Sequence, residues 1–228
     1  DEGLLATFAL EQDRQNYYLD VRAYDDGVAF RYRFPGQTGV NRTVTDELTQ
    51  FVLPASIDTV WAGKDNRDSE PEIEKLDPAE AVSKHINIPM TAELGDAAGY
   101  ISIMEGGVTT SFPQINLEAK GNGVYQSNIS WSDNKSYTAA GDITTGWRLV
   151  NDAEDLNALV NNYNIYKVNP NADAELYADT SYVQPGRATW TWLTDYGNPS
   201  CTDPKYSEQF MEAASKLGFE YSVIDEGW

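Results

Sequence analysis

Gly186-Arg187-Ala188-Thr189-Trp190-Thr191-Trp192-Leu193, and then Asp203-Pro204 leading through Gly218 to Glu220-Tyr221-Ser222-Val223-Ile224-Asp225-Glu226-Gly227-Trp228, decide how the chain is read. The first run is entered from Pro185-Gly186, is aromatic and β-branched, and predicts a short strand. Asp203 offers an N-cap, with Pro204 at the first helical position. Tyr206, Phe210, Ala213, Ala214 and Leu217 recur in steps of three and four, an apolar helical stripe, and Gly218 stands where a left-handed C-cap is wanted. Residues 221–224 supply a second strand. Strand, helix and strand at this spacing describe a parallel βαβ unit. Binding groups in such units collect where the strands end. That rule singles out Trp192 and its loop, with Asp225, Glu226 and Trp228. One crossover helix leaves a face of a parallel pair bare. The chain is therefore expected to be a fragment whose next segments complete a barrel or sheet. The alternative is a small α/β appendage packed on what precedes it.

What precedes it reads as antiparallel β. Residues 4–10 alternate weakly, as an edge strand. Residues 16–24 alternate clearly, with Tyr17, Leu19, Val21 and Ala23 on one face. Asp25-Asp26-Gly27 signals a turn, and the return strand carries Val28, Phe30, Tyr32 and Phe34 on one face. The pattern predicts a hairpin with a buried aromatic face and a polar face bearing Arg31 and Arg33. Further strands are expected at 47–53, 59–62, 86–94, 100–105, 112–119, 125–130 and 146–150, the spacing of a sandwich. Residues 63–84 read as a long surface loop. A short helix is expected from residue 152 to about residue 160, capped by Asn151 or Asp152, and the polar residues 161–179 read as a connection.

Composition excludes several classes of function. Of 228 residues, 36 are acidic and 16 basic, a net charge of −20. Such a surface repels phosphate backbones, which argues against nucleic acid as a partner. No apolar run approaches the roughly 18 residues of a membrane span, and there is no polybasic segment. The one cysteine, Cys201, rules out an internal disulfide framework, and the one histidine, His85, rules out a multi-histidine zinc site. No nucleophile-elbow pattern supports a triad through His85.

Carboxylates remain as the candidate chemistry. In Ile101-Ser102-Ile103-Met104-Glu105, alternation sets Glu105 on the side of Ile101 and Ile103. If that side faces inward, the carboxylate needs a partner or a cation. It is then either a ligand for a hard metal or, with the strand end turned outward, a solvated side chain. Asp225 and Glu226 are adjacent and point to opposite sides, so one is available to sugar hydroxyls, which a carboxylate grips with charge-assisted bonds. Trp190, Trp192 and Trp228 are flat surfaces for sugar rings or for a core.

Residues 20–32 (Asp-Val-Arg-Ala-Tyr-Asp-Asp-Gly-Val-Ala-Phe-Arg-Tyr), 100–105, 185–192 and 218–228 together resemble glycoside hydrolase family 97, in matching order over nearly the whole chain. The resemblance implies a mainly β fold: an antiparallel β-super-sandwich over residues 1–180, followed at 181–228 by the first βαβ unit of a (β/α)8 catalytic barrel. It implies an exo-acting, calcium-dependent α-glycosidase acting on α-glucosides or α-galactosides of an oligosaccharide. Glu105 falls where the family's sandwich supplies a calcium-binding carboxylate. Asp225 is similar to an acidic residue that grips substrate hydroxyls, with Trp192, Glu226 and Trp228 beside it. The general acid and the base or nucleophile are expected beyond Trp228, so these residues alone are expected to be inactive. A bacterial periplasmic or secreted location and a homodimer are further implications. The family usually has a small apolar residue after the glutamate, where this chain has Gly106-Gly107. A different class is also open, a non-catalytic carbohydrate-binding or dimerisation sandwich, as is a purely structural one.

Overall fold

The computed structural model describes residues 3–63, 72–95, 98–108, 112–129, 136–195, 201 and 203–225. The chain divides into two compact units, Asp1–Asn171 and Ala172–Trp228. The first contains β1 (Leu4–Gln12), β2 (Gln15–Tyr24), β3 (Gly27–Phe34), β4 (Asn41–Val44), β5 (Gln50–Val52), β6 (Ile57–Gly63), β7 (Ile73–Leu76), β8 (His85–Ile86) and β9 (Met90–Leu94). It continues with β10 (Gly99–Gly106), β11 (Asn116–Gly121), β12 (Val124–Asn128), β13 (Tyr137–Ala140), β14 (Ile143–Thr144) and β15 (Trp147–Ala153), then helices α1 (Leu156–Val160) and α2 (Asn164–Val168).

Nine of these strands make one antiparallel sheet in the order β1-β2-β3-β15-β10-β9-β6-β7, with β14 on β3. A four-stranded antiparallel sheet, β5-β12-β11-β8, lies across it, and β4 pairs with β13. Between the two larger sheets Val60, Met90, Ile103, Leu117 and Tyr125 form a buried apolar core. Alternation along each strand aims one residue in two at it. The other face of the large sheet is also covered: Ala29, Trp147 and Leu149 pack against Val168 of α2. The antiparallel, mainly β architecture is the one the alternation predicts.

Several boundaries differ, each for a physical reason. The polar face of the β2–β3 hairpin is not left to solvent. Asp20 is buried there and accepts bonds from Thr7 Oγ1 (2.8 Å), Arg31 Nε (2.9 Å) and Arg33 Nε and Nη2 (2.7 and 2.9 Å). The guanidiniums of Arg22 and Arg31 lie 5.1 and 4.5 Å from the Trp147 ring centre. The long loop contains β7, which pairs with β6, while residues 64–71 lie outside the described residues. The strand expected at 86–94 divides around Pro89, whose nitrogen has no hydrogen for a ladder; β8 stays in the small sheet and β9 joins the large one. The strand expected from Glu47 shrinks to β5, which leaves Glu47 in a loop. β15 runs on to Ala153, so α1 starts later than expected, capped by Asp155, whose side chain accepts from Ala158 N at 2.7 Å. The polar connection holds α2. Asn164, fully buried, donates to Asp26 (2.7 Å) and Asn151 (3.2 Å) and accepts from Lys167 Nζ (2.9 Å). Its asparagines fasten the chain back onto the sheet.

The second unit contains β16 (Ala188–Trp190), α3 (Thr191–Asp195), α4 (Pro204–Leu217) and β17 (Tyr221–Val223). The two strands pair in parallel, with Ala188 opposite Tyr221 and Trp190 opposite Val223. The ends of α4 follow the sequence signals: Asp203 accepts from Lys205 N, Pro204 opens the helix, and Gly218 closes it at φ 68°. The first strand is shorter than its aromatic run, because Thr191-Trp192-Leu193 turn into α3.

Candidate functional site

In β10, Ile101 and Ile103 face the sandwich core, and a period of two carries Glu105 in with them. Its side chain is 3% exposed, so it is not turned to solvent. Directly opposite in the ladder stands Arg148 of β15. Trp147 and Leu149 face α2, and Arg148 between them faces the sandwich interior, where its side chain is fully buried. Its Nε and Nη2 donate to the two carboxylate oxygens of Glu47, at 2.9 and 2.5 Å. Its Nη1 donates to Glu105 Oε1 and, at 3.1 Å, to the Gly146 carbonyl. Glu105 Oε2 accepts the Ile115 N–H at 3.1 Å. Glu47 Oε1 also accepts the Thr49 hydroxyl at 3.0 Å.

Two carboxyl groups thus share one guanidinium, and with both ionised the cluster would carry an excess of one negative charge out of water. Burial pushes the Glu105 carboxyl up to about 7; the Arg148 charge and the Ile115 N–H pull the other way, and repulsion from Glu47 adds to the rise. For Arg148, burial opposes the charge, but the bonds and charges of Glu47 and Glu105 outweigh it and raise its already high pKa. The pairing is unequal. Glu47 takes the two-toothed grip, whereas Glu105 receives one guanidinium nitrogen.

Glu105 lines a small cavity of about 150 Å³ with Ile88, Pro89, Met104, Val108 and Gln114. Glu47 borders a larger one of about 470 Å³, walled by Tyr17, Tyr32 and Phe34 with Asp46 and Thr49. Carboxylate oxygens are hard donors of the kind calcium takes, and the unbalanced negative charge suits a cation. Among the described residues no three His, Cys, Asp or Glu side chains converge on one point, and apart from Gln114 the rest of the small cavity's lining is apolar. Gly106 lies against α2: a Cβ there would approach Val168 Cγ2 to 2.7 Å and Ile165 Cδ1 to 2.9 Å.

In the second unit, Asp225 Oδ2 accepts the Trp190 indole N–H at 2.9 Å, beyond the carboxyl ends of both parallel strands. The structure therefore brings Asp225 to Trp190. Trp192 is half-buried on α3 and does not close the first strand. Glu226 and Trp228 lie outside the described residues. Sequence reading missed Glu47 and Arg148. Alternation along 147–150 puts Arg148 on the side of Val150, a signal that could have paired it with Glu105; Glu47, held by a loop, carries no periodic signal.

A family model described as Glycosyl-hydrolase 97 N-terminal matches residues 3–170. A probable retaining alpha-galactosidase of Streptomyces bingchenggensis (strain BCW-1) is 30% identical over 214 residues, covering 92% of this chain and 31% of that protein. The retaining alpha-galactosidase of Bacteroides thetaiotaomicron is 25% identical over 252 residues, covering 94% and 37%. Among solved structures, a glycoside hydrolase family 97 enzyme of Pseudoalteromonas sp. strain K8 in complex with acarbose superposes with a TM-score of 0.74 at 26% identity, covering 98% of this chain and 35% of that one. The chain spans about a third of the length of these relatives. With the family model matched across the whole sandwich and the strand order of a two-sheet antiparallel β domain, the chain belongs to the glycosyl-hydrolase 97 N-terminal family.

Proposed function

We propose that these residues are the N-terminal portion of an exo-acting α-glycosidase that cleaves terminal α-galactosides or α-glucosides from oligosaccharides, with Glu105 as one ligand of a bound calcium ion. The observation that carries the reading is the buried, half-compensated carboxylate of Glu105 at a cavity. A buried carboxylate short of positive charge either takes up a proton or draws a cation, and this reading takes the cation to be calcium. The names of the two curated relatives favour the galactoside.

In this reading the βαβ unit opens a (β/α)8 barrel whose active site lies at the carboxyl ends of the strands. Asp225 accepts bonds from sugar hydroxyls there, held in place by the Trp190 indole. Trp192 belongs to the substrate site in this reading; Glu226 and Trp228, expected there from sequence, lie outside the described residues. Glu105 would be one ligand of the metal, and Arg148 and Ile115 bond its two oxygens. Calcium, if bound, would act as a Lewis acid that supplies positive charge to developing negative charge in the reaction. Hydrolysis also requires two flanking carboxyl groups, which this reading places beyond Trp228. A periplasmic or secreted location and a homodimer belong to the same reading.

Hydrolysis of p-nitrophenyl α-galactoside and α-glucoside by the full-length protein, with calcium or with chelator, tests it. Calcium-stimulated cleavage, lost in Glu105→Gln, is the expected result. Activity in residues 1–228 alone would overturn the placement of the acid and base, and a full-length protein indifferent to calcium would remove the metal from the reading.

A further inference from the structure

The small sheet covers the aromatic face of the β2–β3 hairpin at Phe30, which packs on Phe51 of β5 with ring centres 6.1 Å apart. Further along the hairpin, aromatic rings pack on one another instead. Tyr17 stacks on Phe34 at 5.8 Å and 22°, and Tyr32 lies 6.3 Å from Phe34. All three rings stay half-buried and wall the cleft of about 470 Å³, a volume within the roughly 300–1,000 Å³ of small-molecule sites. Residues 44–49 also line it, and they are pinned: Asp46 Oδ1 accepts the N–H groups of Glu47 (2.8 Å) and Ile129 (3.3 Å).

The hydroxyls of this cleft have a fixed sense. Thr49 gives its one hydroxyl proton to Glu47 Oε1 at 3.0 Å, so Tyr32 is the donor in its 3.1 Å bond to Thr49. The Tyr32 oxygen thereby keeps lone pairs for an incoming O–H. Asp46 Oδ2 is a second acceptor, and Gln12 and Gln15 bring exposed amides that both donate and accept. The described lining includes Asp13, Asp46 and Glu47 and no lysine or arginine, so it repels anions. A cation is poorly served too, because Glu47 is engaged by Arg148 and Thr49, and Asp46 Oδ1 by two backbone N–H groups. A neutral ring with hydroxyls on its edge and C–H groups on its faces matches both the aromatic wall and the acceptors.

We infer that this cleft is a carbohydrate-binding site, in which a neutral pyranose unit lays a C–H face on the aromatic wall and donates hydroxyls to Tyr32 Oη and Asp46 Oδ2. Its ligand is independent of any metal at Glu105.

Fluorine NMR of the full-length protein carrying fluorotyrosine reads the cleft directly. Tyr17→Phe and Tyr32→Phe assign the two resonances. The probes are methyl β-galactopyranoside, methyl β-glucopyranoside and methyl β-glucuronide, whose β linkage an α-glycosidase leaves intact. Both neutral sugars should move the Tyr17 and Tyr32 resonances saturably, the lower Kd marking the preferred ring, and the glucuronide should bind at least about tenfold more weakly. Tyr17→Ala, read at Tyr32, should weaken binding about three- to tenfold through loss of the aromatic surface. Tyr32→Phe, read at Tyr17, should weaken it by a similar factor through loss of one hydrogen bond. Resonances unmoved by either neutral sugar up to its solubility limit would overturn the inference, as they would if later segments of the full-length protein fill the cleft. Equal binding of the glucuronide would overturn the ligand class, and unchanged binding in Tyr17→Ala would overturn the aromatic wall as the platform. Should Tyr17→Ala fail to fold, the near-isosteric Tyr32→Phe decides: weakened binding supports the site and unchanged binding refutes it. The shifts are read without turnover or calcium, so failure here and failure of the glycosidase reading are told apart.

Discussion

Replacing Arg148 by methionine tests whether the buried cluster is electrostatic at heart. The substitution keeps most of the apolar stem and removes the three donor nitrogens that bond Glu47, Glu105 and the Gly146 carbonyl. Two buried carboxylates would then face each other without compensation, and breaking a buried pair in this way costs about 3–5 kcal/mol. The folded state can escape part of that cost by taking up protons. Protonating one carboxyl of ordinary pKa costs about 4 kcal/mol at pH 7 and about 1 kcal/mol at pH 5. A carboxyl with a raised pKa binds more protons folded than unfolded, so its contribution to stability falls as pH rises between the two values. In the parent, Glu105 already behaves so, across the window from 4.5 to about 7. Arg148→Met should add a second group and steepen the slope. Urea unfolding followed by far-ultraviolet circular dichroism at pH 5 and pH 7.5 measures it. The expected loss is several kcal/mol at pH 7.5 and about 2–3 kcal/mol less at pH 5. A loss below about 1 kcal/mol at both pH values would refute the argument, since it would mean that the carboxylates are already hydrated.

Other substitutions probe neighbouring links. Gly146→Ala places a Cβ 3.0 Å from Glu105 Oε1 and 3.2 Å from both Arg148 Nη1 and the Gly106 carbonyl; overpacking there should cost about 1–3 kcal/mol in the same urea experiment. Asn164→Ala strands Asp26 and Asn151 without their buried donor. It should cost about 2 kcal/mol and, in hydrogen exchange, raise the opening rate of residues 162–169 ahead of the sheet. Asp203→Ala removes the side-chain cap of α4 and should destabilise that helix by about 1 kcal/mol, read as faster amide exchange in its first turn.

The fold was legible wherever a local rule sufficed. Asp203, Pro204 and Gly218 fixed both ends of α4, because caps depend on neighbours along the chain. Asp25-Asp26-Gly27 fixed the β2–β3 hairpin for the same reason. Alternation put Glu105 on the side of Ile101 and Ile103 but left open whether the strand end turned outward, and only the fold turns it inward. What the sequence could not display was the partner of each buried polar group. Asp20 sits on a strand face that reads as solvated, and only the fold brings Arg31 and Arg33 onto it. Asn164 looked like linker composition until the sheet supplied Asp26 and Asn151. Glu47 lies in a loop, and its role comes wholly from a strand far along the chain. Trp192 was assigned to a strand end because aromatic residues favour strands; α3 takes it instead, a tertiary outcome overriding a weak local preference.

The position of β15 also sets the order of assembly. It bridges β3 on one side and β10 on the other, so the large sheet consists of two unjoined halves until residues 147–153 have been synthesised. Contacts that span so much chain form slowly and leave strand edges open in the meantime. The charged cluster is therefore joined late. Glu47 and Glu105 have no Arg148 to pair with until the strand that carries it joins β10.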